Sequence, residues 1–227
     1  VSGICEAEAV FQYFNIKTNA LVSDGQSVEK GDIILEVSGS LKSILSAERT
    51  ALNFLMRMSG IATVTHSISS KLSHAKVAAT RKTTPGFRSF EKKAVILGGG
   101  DPHRFCLDDL ILIKDNHIAV VGGVAEAVIK AKKFSFAKKV EVEVESIEDA
   151  EAAVKSEADI ILLDNMSPEK AAKCYSLIKS LNSKIIVEVS GTITPETAQL
   201  YDECADIISL GWITHSVRSI HFSLDVC

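Results

Sequence analysis

The sequence lacks several features that would assign it to a class at once. None of its five cysteines lies in a Cys-x-x-Cys pair, so neither a zinc site nor a disulfide framework is predicted. No apolar run approaches the ~18 residues of a membrane span, and no signal peptide opens the chain. We therefore expect a cytoplasmic protein with reduced thiols that does not bind a membrane.

The chain also lacks an overall positive charge and a dinucleotide-binding glycine motif. Its formal net charge is -4, so nucleic acid is not an expected partner and any anion must be bound by a local cluster. No Gly-x-Gly-x-x-Gly follows a predicted strand, which removes the main support for a Rossmann fold. The apolar fraction of 46% nevertheless indicates a globular protein with a substantial core.

The N-terminal part of the chain differs in pattern from the rest. Turn residues surround short apolar runs in 24–39, which predicts small antiparallel strands. From residue 42 to 73 the apolar residues fall mostly at helical spacing, with Gly60 as a candidate break between two helices.

From residue 77 onward, apolar β-branched runs alternate with amphipathic helical stretches. The predicted strands are 77–80, 110–114, 140–145, 159–164, 184–190 and 206–211. The predicted helices between them include 122–133, 146–156, 167–180 and 194–203. This alternation predicts a parallel sheet covered by helices. The last four strands recur every ~20–25 residues, which favours an α/β barrel.

Polar, charged or glycine residues follow every predicted strand. The carboxyl ends of barrel strands share one face, so these side chains are expected to converge there. The cations among them imply a polyanionic ligand, because like charges are costly to group without a counter-charge. These cations are Arg81, Lys82, His103, Arg104 and Lys114. Solvated surface positions are expected instead for Lys92, Lys93, Lys132 and Lys133.

The strand 140–145 alternates glutamate with valine, so one of its faces is acidic. If that face points into a barrel, Glu143 is central to it and needs a charged or metal partner. Together with Asp164, Glu143 could hold Mg²⁺ beside a phosphate-rich ligand. An ion pair of Glu143 with Lys82 or Lys114 is an equally good interpretation.

Small residues follow the last two predicted strands. Ser190-Gly191 precedes Thr194-Pro195, which predicts a helix with Thr194 as its N-cap. Gly211 follows the final strand. Backbone N–H groups at such positions commonly bind phosphate in α/β barrels.

Nine segments stand out along the chain: AERTALN (47–53), SGIAT (59–63), TRKTTPGFR (80–88), GGGDPHR (98–104), LIKDNHI (112–118), EVEVES (141–146), LLDNMSPE (162–169), EVSGTIT (188–194) and THSVR (214–218). Together, and in this order, they resemble the family of quinolinate phosphoribosyltransferase, the decarboxylating nicotinate-nucleotide pyrophosphorylase. The resemblance implies an open parallel α/β barrel, similar to a TIM barrel, with a small N-terminal α/β sandwich domain.

The resemblance divides the chain into two domains. Residues 1–75 form the N-terminal domain with linking helices, to which the last residues of the chain can return, and residues 76–227 form the catalytic barrel. Family members usually carry several dozen residues before the segment that begins at Val1, so a shortened N-terminal domain is expected. Thr192 stands where the family usually has glycine, so this phosphate loop is expected to differ slightly.

The resemblance implies phosphoribosyl transfer from phosphoribosyl pyrophosphate to quinolinate with decarboxylation, in de novo NAD biosynthesis. The products are nicotinic acid mononucleotide, pyrophosphate and CO2. The implied catalytic residues are Lys114, Glu143 and Asp164, and the last two also bind Mg²⁺, partly through water or substrate. The implied substrate-binding residues are Arg49, Thr80, Arg81, Lys82, His103, Arg104 and Lys114. The implied phosphate-binding residues are Ser190, Gly191, Thr192, Leu210, Gly211 and Trp212.

The resemblance also implies a homodimer, or a higher oligomer, in which Arg49 completes the neighbouring subunit's site. Three alternatives remain. A molybdenum-transport-associated homologue shares several segments but lacks an intact Lys-Asp-Asn-His, which residues 114–117 retain. An aldolase would use Lys114 to form a Schiff base. A non-catalytic anion-binding barrel would keep the fold without the chemistry.

Overall fold

A computed structural model of the chain describes residues 1–226. The helices are α1 (Ile4–Tyr13), α2 (Leu41–Ser69), α3 (Arg88–Leu97), α4 (Asp115–Val121), α5 (Val124–Phe134), α6 (Ile147–Lys155), α7 (Pro168–Leu181) and α8 (Trp212–His215), with a 3-10 helix at Ala198–Cys204. The strands are β1 (Lys17–Ala20), β2 (Leu35–Ser38), β3 (Lys76–Ala79), β4 (Ile111–Ile113), β5 (Val140–Val144), β6 (Ile160–Asp164), β7 (Ile186–Ser190) and β8 (Ile207–Leu210). Within residues 1–226, no helix is both long enough and apolar enough to cross a membrane.

The larger sheet has six parallel strands in the order β3-β8-β7-β6-β5-β4. Among the described residues, β3 and β4 lie at opposite ends of this order and do not pair, so the barrel is open between them. The predicted open parallel α/β barrel is therefore confirmed. Each predicted strand overlaps an observed one, because β-branched apolar runs suit a sheet that helices cover.

The two faces of the larger sheet differ sharply. One face packs its aliphatic side chains against the helices in the main hydrophobic core, as do Val142, Ile161, Val187 and Ile208. Side chains alternate along a strand, so the residues between these point into the barrel. Many of the inward positions are polar: Glu141, Glu143, Asp164, Glu188, Ser190 and Ser209. The barrel interior is therefore partly polar.

The small sheet pairs β1 and β2 antiparallel, as the turn pattern predicts, and packs with α1 over a second core. The amino-terminal half of α2 contributes Ala47, Ala51, Leu52 and Leu55 to this core, and its other half contributes Met58 and Ile61 to the barrel core. Residues near the end of the chain, Phe222 and Leu224, also pack against the small core.

The predicted break at Gly60 is wrong, since α2 runs unbroken from Leu41 to Ser69. A Cβ at Gly60 would lie 2.4 Å from the carbonyl oxygen of Arg218, so glycine is needed for a close approach of two backbones. The predicted helix start at Thr194 is also wrong. The Thr194 N–H donates to Thr197 Oγ1 (2.9 Å), which forms a turn, and a 3-10 helix begins only at Ala198.

The single helix predicted over 122–133 corresponds to α5, which begins at Val124, and a separate α4 precedes it. Gly122 adopts a left-handed φ of 105° and ends α4. The helix α4 begins directly after Lys114, so it fixes the position of that lysine at the end of β4.

Candidate active site

Lys114 and Glu143 form an ion pair at the mouth of the barrel, with 2.5 Å between Nζ and Oε1. The sequence left Lys82 and Lys114 as alternative ion-pair partners of Glu143, and in the structure the partner is Lys114. The Lys114 backbone N–H donates to His117 Nδ1 (3.0 Å), which fixes the start of α4. The side chain of Glu143 is only 17% exposed, so the pair is partly shielded from water.

Glu143 and Asp164 line one cleft, as the sequence-based interpretation required. The cleft has a volume of about 460 Å³ and lies between α4 and the ends of β5 and β6. Asp164 Oδ2 accepts a hydrogen bond from the side-chain amide of Asn165 (2.9 Å). Glu145 and Asp149 line the same cleft, which makes it strongly acidic on this side.

Deeper in the barrel, Glu141 and Glu188 form an acidic floor, which the imidazole of His103 contacts. His103 Nε2 lies 3.0 Å from Glu188 Oε2 and 3.9 Å from Glu141 Oε2. Burial alone would lower the pKa of His103, but its hydrogen bond to Glu188 and the two carboxylate charges raise it. Burial, reinforced by the charge of Glu188, raises the pKa of Glu141 to about 8. Neither Glu141 oxygen has a hydrogen-bond partner within residues 1–226.

His103 reaches this floor through an unusual backbone conformation. Its φ is +52°, a left-handed value, and its N–H donates to Asp101 Oδ1 (2.6 Å). The imidazole thus faces the acidic floor, and Arg104 follows it on the same loop. A left-handed non-glycine residue held by local hydrogen bonds is typical of functional loops.

A cationic cluster forms around Lys92, from residues of α3 and of the loops before and after it. Burial lowers the pKa of Lys92 to about 8, and the charges of Arg88, Arg104 and Arg81 add to that effect. Lys92 Nζ donates to the Pro102 carbonyl oxygen. These cations are close enough to repel one another, so an anionic ligand would relieve their repulsion.

The expected solvated position is wrong for Lys92, which is only 3% exposed. Lys93 and Lys132 are partly exposed, with side-chain exposures of 37% and 34%, and each forms an ion pair. Lys93 binds Glu6 (2.8 Å) and Asp24 (2.9 Å), and Lys132 binds Asp159 (2.7 Å). Charge and position in the sequence did not separate these lysines from surface residues, because their partners are distant in the chain.

The loop after β7 is shaped by Asn165. The backbone of Gly191 has a φ of +124°, and the Thr192 N–H donates to Asn165 Oδ1 (3.2 Å). Ser190 follows in register beside Asp164 on the neighbouring strand. The predicted phosphate residues Ser190, Gly191 and Thr192 therefore lie next to the predicted acidic pair.

The loop after β8 packs against the loop after β3. A Cβ at Gly211 would lie 2.9 Å from Lys82 Cδ and 3.1 Å from the His215 ring, so both side chains lie close to the Gly211 backbone. Leu210 is buried in the core between sheet and helices, and Trp212 packs against that core. Only the backbone of Leu210 is therefore available to a ligand.

Two of the predicted substrate-binding residues, Thr80 and Arg49, do not belong to the group of cations at the barrel mouth. Thr80 Oγ1 accepts a hydrogen bond from the Lys82 N–H (3.1 Å), which stabilises the loop that carries Arg81. Arg49 is exposed on α2, and no described residue forms an ion pair with it. The structure thus brings the other predicted cations to the barrel mouth and leaves Arg49 outside that group.

Sequence reasoning missed Glu141, Glu188 and Lys92 as members of the site. Glu188 has a signal in the sequence, since it is the only charged residue in the apolar run 185–189. A single carboxylate inside a buried strand needs a partner, and His103 supplies it.

Comparisons with known proteins agree with this geometry. The family descriptions "Quinolinate phosphoribosyl transferase, N-terminal domain" and "Quinolinate phosphoribosyl transferase, C-terminal domain" match residues 1–59 and 61–225. The chain is 46% identical over its whole length to a protein of Archaeoglobus fulgidus named "Probable nicotinate-nucleotide pyrophosphorylase (carboxylating)", of which it covers 90%. It is 37% identical to the Homo sapiens nicotinate-nucleotide pyrophosphorylase (carboxylating), over 96% of this chain and 75% of that protein.

The similarity extends to three dimensions. The crystal structure of NadC from Streptococcus pyogenes superposes on this chain with a TM-score of 0.93 at 42% identity. The superposition covers 99% of this chain and 81% of the NadC chain. Sequence, fold and the polar mouth of the barrel lead to the same assignment, and the chain belongs to the quinolinate phosphoribosyl transferase family.

Proposed function

We propose that this chain transfers a phosphoribosyl group from phosphoribosyl pyrophosphate to quinolinate at the mouth of the barrel, with release of CO2. The product is nicotinic acid mononucleotide, an intermediate of de novo NAD biosynthesis. The observation that carries the proposal is the partly buried cationic cluster around Lys92, whose member Arg104 lies near the buried Glu141. Both substrates are polyanions, and a site for them needs fixed positive charge.

Quinolinate carries two carboxylates, and arginine recognises a carboxylate with two parallel hydrogen bonds. Arg81 and Arg104 are proposed for this role because both lie near Lys92, and Lys114 is proposed to act with them. Arg81 Nε is buried and has no protein partner within residues 1–226, which supports a ligand contact. Against its burial, the hydrogen bond to Glu188 and the nearby carboxylates raise the pKa of His103, which favours the cationic form of its imidazole.

The phosphate groups of the donor are proposed to lie between Lys82 and the loops after β7 and β8. Lys82 Cδ lies close to the backbone of Gly211, which supports a phosphate site shared by this lysine and the small-residue loop. The backbones of Ser190, Gly191, Thr192, Leu210, Gly211 and Trp212 supply the proposed phosphate ligands. A lysine and backbone N–H groups together are a common phosphate site in barrels.

Mg²⁺ fits the acidic side of the cleft. Glu143 Oε1 is bound to Lys114 and Asp164 Oδ2 to Asn165, so each carboxylate keeps one oxygen for a cation. Mg²⁺ commonly binds through one or two carboxylates, water and substrate phosphates. When bound, it would neutralise charge on the departing pyrophosphate. The carboxylates of Glu143 and Asp164 would in addition stabilise positive charge that develops on the ribose.

The reaction follows from this placement of charge. The pyridine nitrogen of quinolinate attacks C1 of the ribose, and the C1–oxygen bond to pyrophosphate breaks. The new pyridinium ring then accepts the electron pair of the adjacent carbon–carboxylate bond as CO2 leaves, and the ring carbon takes up a proton. No covalent enzyme intermediate is required, so positioning and electrostatics supply the rate enhancement.

Arg49 and the location of the protein complete the proposal. Arg49 is exposed and outside the cluster of its own chain, which suits a homodimer, or higher oligomer, where it reaches the neighbouring subunit's site. We also propose a cytoplasmic location, which the free Cys5, Cys106, Cys174 and Cys204 support.

The test is a turnover assay with phosphoribosyl pyrophosphate, Mg²⁺ and either quinolinate or nicotinate. We expect nicotinic acid mononucleotide from quinolinate alone. A folded protein that forms no product from either substrate would contradict the proposal and favour the molybdenum-associated or non-catalytic alternatives. The aldolase alternative predicts borohydride trapping of Lys114 with a carbonyl substrate, but Lys114 Nζ is already bound to Glu143.

A further inference from the structure

A partly buried ion pair lies between α2 and α3, outside the cleft. Arg57 Nη2 lies 2.7 Å and Arg57 Nε 3.2 Å from Glu91 Oε1, and the Glu91 side chain is fully buried. A buried carboxylate is costly unless all of its lone pairs are used. The other hydrogen-bond partners of Glu91 and Arg57 therefore show which loops the ion pair holds in place.

The remaining partners of the pair belong to two substrate loops. Glu91 accepts hydrogen bonds from the Thr84 N–H (3.1 Å) and hydroxyl (2.9 Å), in the loop after β3. Arg57 donates to the carbonyl oxygens of Val217 (3.2 Å) and Thr214, in the segment after β8. A single ion pair thus holds the loop after β3 and the segment after β8 at fixed positions.

The two loops are also bound directly to each other. The buried Thr214 hydroxyl donates to the Lys82 carbonyl oxygen (2.7 Å), beside the contact between Lys82 and Gly211. The backbone of Lys82 is therefore fixed relative to Gly211 by this hydrogen bond and by the Arg57–Glu91 pair.

We propose that Glu91, Arg57 and Thr214 are positioning residues that fix the loop of Lys82 against the segment after β8, and so set the width of the donor-phosphate site. The inference rests on the proposed function. None of the three residues needs to touch substrate. A buried ion pair contributes little net stability, so its use for two loops is best explained by the geometry that it imposes on them.

The sharpest test replaces Thr214 with valine, which has the same shape but no hydroxyl. The carbonyl of Lys82 then loses its partner, and a hydrogen bond of this kind changes affinity about tenfold. We expect the KM for phosphoribosyl pyrophosphate to rise about tenfold while kcat changes less than about twofold. The matched control Thr214→Ser keeps the hydroxyl and should remain within about twofold of the wild type in both parameters.

Because substitution of the buried Thr214 can impair folding, a second pair of variants tests the same proposal at an exposed residue. Thr84 is exposed, and Thr84→Val removes one hydrogen bond to Glu91 while Thr84→Ser keeps it. We expect the KM for phosphoribosyl pyrophosphate to rise in Thr84→Val and to stay unchanged in Thr84→Ser. A lower melting temperature with an unchanged KM in both valine variants would show a purely structural role and overturn the proposal.

Binding can be followed without turnover, because Trp212 is the only tryptophan and lies next to Gly211. Its fluorescence should change on titration with inorganic pyrophosphate, with weaker binding to Thr214→Val than to Thr214→Ser. If the wild type forms no nucleotide but this difference appears, the proposed function fails and the positioning role stands. Equal affinities in the two variants would overturn the positioning role.

Discussion

Asp202 offers a stability prediction whose magnitude follows from the structure. It lies in the 3-10 helix before β8 and is 7% exposed. Its carboxylate accepts hydrogen bonds from the N–H groups of Ser73 (2.8 Å), His74 (3.0 Å) and Ala75 (2.9 Å), and from the Ser73 hydroxyl (2.8 Å). The carboxylate thus holds the entry to β3 beside β8, at the end of the barrel opposite the cleft.

These contacts change the pKa of Asp202. Burial alone would raise it, but the hydrogen bonds from the backbone lower it from 3.8 to about 2. Each unit corresponds to about 1.4 kcal/mol, so ionised Asp202 contributes roughly 2 kcal/mol to the free energy of unfolding. Because the folded pKa is the lower one, this contribution is present above pH ~4 and is lost as the pH falls towards ~2.

The substitution Asp202→Asn removes the charge and turns an amide N–H₂ towards backbone donors. We expect a loss of about 2–4 kcal/mol in the free energy of unfolding at pH 7. The difference from the wild type should shrink by about 1 kcal/mol between pH 7 and pH 3. At pH 3 the Asp202 carboxylate is mostly protonated in the unfolded protein but still mostly ionised in the folded protein.

Urea denaturation at both pH values, at fixed protein concentration, measures this difference. The adjacent exposed Glu203→Gln is the control and should stay within about 0.5 kcal/mol of the wild type. Activity per folded molecule should not change, since Asp202 lies far from the strand ends that form the site. A deficit that is the same at pH 7 and pH 3 would refute the reasoning.

Three further predictions follow from the site and the core. Inactive Arg49→Ala and Lys114→Ala proteins, once mixed and allowed to exchange subunits, should recover about a quarter of wild-type activity, whereas no recovery would contradict the shared site. Glu143→Gln or Asp164→Asn should raise the Mg²⁺ concentration for half-maximal activity about tenfold; an unchanged Mg²⁺ dependence would exclude these ligands. Ile161→Ala should lower the free energy of unfolding by about 2–5 kcal/mol in urea, and a loss below about 1 kcal/mol would contradict its place in the core.

Much of the barrel was predictable because its signal is local. Runs such as 159–164 and 184–190 are apolar and β-branched, and amphipathic stretches follow them, so a parallel sheet covered by helices follows from pattern alone. The convergence of Lys114, Glu143 and Asp164 was also predictable, since strand ends of a barrel share one face.

The rest depends on contacts between residues distant in the sequence. Gly60 does not break α2. Residue 60 is glycine because a Cβ there would clash with the backbone of Arg218, which is distant in the sequence. Lys92 resembles a surface lysine until α3 places it among arginines. His103 contacts Glu188, which lies 85 residues away in the chain. No periodicity in the sequence reports such pairings.

The most direct test of the central claim is the release of labelled CO2 from carboxyl-labelled quinolinate, with and without phosphoribosyl pyrophosphate. The proposed mechanism makes the ring an electron sink only after ribosyl transfer. It therefore predicts CO2 in equal amount to nicotinic acid mononucleotide, and release only when the donor is present. Release at the same rate without the donor, or no release from folded protein with both substrates and Mg²⁺, would contradict it.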